Sequence, residues 1–68
     1  MKYAGFECGI KEVLVFPTRK ERDDYVEHDQ WNGFPSKRIS KRRAKKLMGD
    51  RKPVWDDGFG CMVVFANM

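Results

Sequence analysis

The stretch Val13-Leu14-Val15-Phe16-Pro17-Thr18-Arg19-Lys20-Glu21 decides the fold class, because a strand and a helix meet within it. Val13–Phe16 is an unbroken apolar run of β-branched and aromatic residues, the pattern of a buried strand. Pro17 closes the run, having no N–H to give to a ladder. Thr18 then opens a helix as the first residue of a capping box. Its hydroxyl can accept from the amide of Glu21, and the Glu21 carboxylate can reach back to the cap amide. Glu21, Asp23 and Asp24 suit the positive end of the helix dipole. Tyr25 and Val26 are the main apolar contacts, and the helix is expected to end near His28.

Outward from this unit the signals thin and then return. Ile10 can extend the strand backwards, and Tyr3–Cys8 reads as a further strand weakened by Gly5 and Gly9. Asp29–Ser36 reads as a loop holding Trp31, Gly33, Phe34 and Pro35. Ser40 is the natural cap of a second helix, with Ile39 and Ala44 as a hydrophobic staple and Gly49 as the stop. Pro53–Asp57 and Phe59–Ala66 form a hairpin around Asp57-Gly58. Cys61–Ala66 is apolar throughout, as a central strand is. The order strand, helix, helix, strand pair gives one α+β domain over residues 1–68. Its expected form is a small antiparallel sheet of about three strands, with two short helices packed on one face.

At 68 residues the core is thin, and an oligomer would add burial. Apolar residues make up 41% of the chain, enough to exclude intrinsic disorder. The net charge is +4, from −2 over residues 1–35 and +6 over residues 36–68. Such asymmetry makes a dipolar surface able to orient a partner or a second copy. No apolar run is long enough for a signal peptide or a membrane span, so no membrane partner is expected. A cytoplasmic, reducing location follows, with Cys8 and Cys61 as free, buried thiols.

No catalytic constellation stands out. His28 is the only histidine and sits at the end of an acidic helix. Asp56-Asp57 precedes a glycine and reads as a turn former before it reads as a carboxylate pair. Cys8, Cys61 and His28 lack the paired spacings of zinc sites. Gly58-Phe59-Gly60 lacks the helix that a phosphate-cradling loop needs. No metal or other cofactor is expected, and no enzyme activity.

The segment Lys37-Arg38-Ile39-Ser40-Lys41-Arg42-Arg43-Ala44-Lys45-Lys46 carries the functional signal. At about 100° per residue, Lys41, Arg42, Lys45 and Lys46 share one helix face, and Ala44, Leu47 and Met48 lie opposite. A dense cationic face attracts polyanions, nucleic acid first among them, although many such faces are solvated surface only. Lys and Arg without Asn or Gln favour phosphate contacts over base readout. Lys37, Arg38 and Arg43 are placed to support the same surface. Trp31, Phe34 and Trp55 are the aromatic residues that could stack on bases or anchor a protein partner.

The runs VFPTRKERDDYV (15–26) and RISKRRAKKLMG (38–49) resemble those of short uncharacterised proteins from phages and mobile elements. The resemblance transfers no residue role. It implies a context, in which small phage proteins bind and inhibit host machinery by occupying a protein surface, as anti-defence and anti-CRISPR-type inhibitors do. The location would then be the host-cell cytoplasm. Two functions are therefore expected: a basic domain that contacts nucleic-acid phosphates, or an antagonist that meets an acidic host-protein surface.

Overall fold

The computed structural model describes residues 3–66 and places seven elements in chain order. They are β1 (Tyr3–Glu7), β2 (Glu12–Phe16), α1 (Arg19–Trp31), β3 (Ser36–Ile39), α2 (Lys41–Met48), β4 (Val54–Asp56) and β5 (Cys61–Phe65). The strands form one five-stranded sheet in the order β3-β1-β2-β5-β4, antiparallel at every pairing. The α+β class is as expected, but the sheet has five strands where about three were expected. The two apolar runs are neighbours, with Val13 opposite Val64 and Leu14 opposite Val63.

The extra strands owe their existence to pairing partners elsewhere in the chain. β1 forms despite Gly5 because β2 pairs with it along its whole length, from Tyr3 opposite Phe16 to Glu7 opposite Glu12. Ile10 does not extend β2; it lies in the tight turn between the two strands, which uses a positive φ at Lys11. β3 has a single apolar residue, Ile39, and exists through its ladder with β1. Strand formation there is a tertiary effect, invisible to a pattern of alternating hydrophobicity.

The helices cover opposite faces of the sheet, correcting the expectation that both share one. Ala4, Phe6, Val13, Val15 and Val64 pack with Ala44, Leu47 and Met48 of α2. The alternate residues Leu14, Phe16, Cys61 and Val63 pack with Tyr25 of α1 and with Phe59. Every residue of β2 is buried, so its two apolar faces each need a cover. Connectivity gives the same answer. β2, β3 and β4 run parallel, and the crossovers through α1 and α2 travel in opposite directions along the sheet. Parallel crossovers are nearly always right-handed, and two that travel in opposite directions then lie on opposite faces.

Both N-cap side chains read from the sequence accept their helix amide, but among the described residues Glu21 does not return the bond that would complete a capping box. Thr18 Oγ1 accepts from Glu21 N–H at 3.2 Å, and Ser40 Oγ accepts from Arg43 N–H at 3.1 Å. α1 runs past His28 to Trp31, because nothing breaks it before Gly33, where φ is +86°. It packs closely over Gly5, where an added Cβ would sit 3.4 Å from Val26 Cγ2. The hairpin turn covers residues 57–60, and the positive φ falls on Gly60 rather than Gly58. Asp56 Oδ1 accepts from Phe59 N–H at 3.1 Å and so holds the turn.

The cysteines part company. Cys61 is buried and its thiol is pushed up to about 11, by burial and then by the charges of Asp56 and Glu12. Cys8 is exposed in the β1–β2 turn, where a buried residue was expected. The turn polarity outweighs the apolar neighbours that suggested burial.

Leu14 is fully buried at the centre of the sheet. Leu14→Ala should destabilise the domain by about 2–5 kcal/mol, a large share of what so small a domain has. Urea denaturation followed by circular dichroism measures the loss.

Candidate functional site

α2 is eight residues long, and an isolated helix of that length is marginal in water. It persists because Ala44, Leu47 and Met48 are buried on the sheet. That docking turns the rest of the helix outward. Lys41, Arg42, Arg43, Lys45 and Lys46 are all exposed. Lys41, Arg42, Lys45 and Lys46 together line one shallow surface depression. At 100° per residue, Arg42 and Lys46 stand farthest from the sheet, with Lys45 and Arg43 on the two flanks.

Strand register sorts the remaining candidates. Lys37 is opposite Phe6, so it stands on the α2 side of the sheet. Arg38 is opposite Gly5 and points to the α1 side. There Arg38 Nε lies 3.0 Å from Asp23 Oδ1, and its Nη2 lies 3.5 Å from Glu27 Oε1. Arg38 therefore leaves the basic surface to which the sequence assigned it. One step along a strand reverses the face, and the charge run gave no sign of that.

Ion pairing divides the two sides. Among the described residues every ion pair involves α1: Lys20 with Asp24, Arg22 with Asp23, and Arg38 with Asp23 and Glu27. Asp23 is held below the ordinary carboxylate range, first by its hydrogen bond from Arg22. None of Lys37, Lys41, Arg42, Arg43, Lys45 or Lys46 forms an ion pair among those residues. The first turn of α2 holds no acidic residue, so Lys41, Arg42 and Arg43 oppose the helix dipole. Lys41 with Lys45 and Arg42 with Lys46 are like-charge i,i+4 pairs, each unfavourable by about 0.2–0.5 kcal/mol.

The three aromatic candidates do not converge. Trp31 is the last residue of α1, 85% exposed, and no longer a loop residue as read from the sequence. Phe34 lines a cleft on the α1 side with Ile10, Tyr25 and Phe59. Trp55 is opposite Met62 on β5, which packs with the α2-side core, so Trp55 alone shares the face of the basic helix. His28 is exposed, with Asn32 Nδ2 3.2 Å from its Nδ1. Asp57 Oδ1 accepts from the Trp55 indole N–H at 2.6 Å, and Asp56 holds the turn, so both carboxylates have structural work. Among the described residues no three His, Cys, Asp or Glu side chains are grouped as a metal site. No helix among them is long and apolar enough to cross a membrane.

On the α1 side, Glu12 is only 8% exposed and lies opposite Glu7. Glu7 Oε1 accepts from Gly9 N–H at 2.8 Å, whereas Glu12 has no such partner among the described residues. Burial, then the charges of Asp56 and Glu7, raise the Glu12 carboxyl above its ordinary value. A raised carboxyl favours the fold while protonated, and that advantage is lost as pH rises through the folded value. Glu12→Gln should therefore be more stable than the parent at neutral pH, with the difference disappearing below the ordinary carboxyl range. Thermal melts across pH measure this.

Comparison with protein-family models, curated proteins and solved structures gives no match for this chain, so the geometry of the α2 face carries the functional reading.

Proposed function

We propose that this chain is a non-enzymatic binding domain that contacts nucleic-acid phosphates through α2. Lys41, Arg42, Lys45 and Lys46 are the primary contacts, with Lys37 and Arg43 at the flanks. One observation carries the reading: among the described residues the cations of this face form no ion pair, while Lys20, Arg22 and Arg38 around α1 are paired with acidic neighbours. A merely solvated basic surface would favour i,i+4 partners of opposite sign, as Lys20 and Asp24 show on α1. On α2 the same spacing repeats like charges, a pattern that a polyanion relieves. The face holds no Asn or Gln, so it grips backbone without choosing sequence.

A second reading rests on a separate observation. Val54, Trp55 and Phe65 are all exposed at the β4–β5 end of the sheet, Trp55 on the α2 side and Val54 and Phe65 on the α1 side. An exposed aromatic anchor on the side of the cationic face also suits an acidic protein surface, as a phage-type antagonist of a host protein would require. Defined stoichiometry with one nuclease-resistant protein in a pull-down would favour that reading.

Mobility-shift titrations at several salt concentrations test the first. Four phosphate contacts on duplex DNA give a log–log salt slope near about −3.6, at roughly −0.9 per contact. Changing Lys41, Arg42, Lys45 and Lys46 to Gln should abolish binding and leave the fold intact. Arg38→Gln should leave the affinity unchanged, since Arg38 faces α1. Absence of binding at low ionic strength would remove the nucleic-acid reading.

A further inference from the structure

We propose that the α2 face takes single-stranded nucleic acid in preference to duplex, with Trp55 as a base-stacking platform; this rests on the phosphate-binding reading of α2. The strand register supplies the starting point. The α2-side positions across the sheet are Lys37 and Ile39 on β3, Phe6 and Ala4 on β1, Val13 and Val15 on β2, Met62 and Val64 on β5, and Trp55 on β4. α2 covers the β1–β2 part of that face. Trp55 stands beyond its cover, two strand spacings or about 10 Å from β2. It is 59% exposed, beside the half-buried Met62.

The register thus places a cationic helix and an exposed indole on the same side of the sheet, the combination used to hold unpaired strands. The cations track the backbone, and the ring receives a base that a duplex would keep stacked inside. Asp57 strengthens this division. Its carboxylate accepts the indole N–H at 2.6 Å, which ties down the ring edge and orients the ring. The same negative charge disfavours phosphate at the ring edge, so the base and not the backbone meets this end of the surface. Trp31 and Phe34, on the α1 side, have no place in this site.

A Trp31→Phe background leaves Trp55 as the sole indole of the chain. Titrating this protein with oligodeoxythymidine should quench its fluorescence in step with binding. Trp55→Ala should weaken oligodeoxythymidine binding by about 5- to 100-fold, the range expected for one stacked base, and leave the affinity for a duplex of equal length unchanged. Trp55→Phe, which keeps a stacking ring, should recover most of the loss. Saturation without a fluorescence change, or equal losses for single strand and duplex, would overturn the stacking proposal alone. Failure of both nucleic acids to bind the unaltered chain would overturn the reading on which it rests.

Discussion

The rest of the structure depends on the burial of β2 from both sides. Its apolar residues alternate between two cores, one under α1 and one under α2, and neither core closes without its helix. A strand apolar on both faces cannot sit at an edge or face water, so the sheet must grow outward from it and be covered twice. β1 and β5 flank it, β3 and β4 close the ends, and the two crossovers deliver one helix to each side.

That arrangement sorts charge as well as apolar surface. The acidic helix α1 gathers Arg22 and Arg38 into ion pairs on its own side. α2, on the other side of the sheet, takes part in no ion pair among the described residues. The sequence-level dipole between residues 1–35 and 36–68 becomes a dipole between two faces of one sheet. The short apolar side of α2 holds like charges together against their repulsion and against the helix dipole. The cationic face thus draws on stability that the core provides, a pattern usual where a surface is shaped for a partner.

Much of this was legible in the residues. Val13–Phe16 and Cys61–Ala66 announced paired strands, and Thr18, Ser40 and Gly49 marked helix ends through local chemistry. The helical period correctly separated Lys41, Arg42, Lys45 and Lys46 from Ala44, Leu47 and Met48. What escaped depends on distant parts of the chain. β3 is a strand only because β1 offers it an edge, and the side taken by Arg38 or Trp55 follows from register. The two-sided covering was implicit in the unbroken apolar run of β2, since alternation would have meant one dry face and one wet one.

The central claim is that the α2 cations form an unsatisfied surface completed by a polyanion. The direct measurement compares melting temperatures at low ionic strength, for the chain and for its Lys41→Gln, Arg42→Gln, Lys45→Gln, Lys46→Gln variant, with and without a heparin-type polyanion. The account predicts that the variant melts higher than the parent when both are alone, through relief of like-charge repulsion. It also predicts that the polyanion raises the melting temperature of the parent only, because a ligand that binds the folded state stabilises it. A variant that melts lower than the parent, together with a parent indifferent to the polyanion, would contradict it.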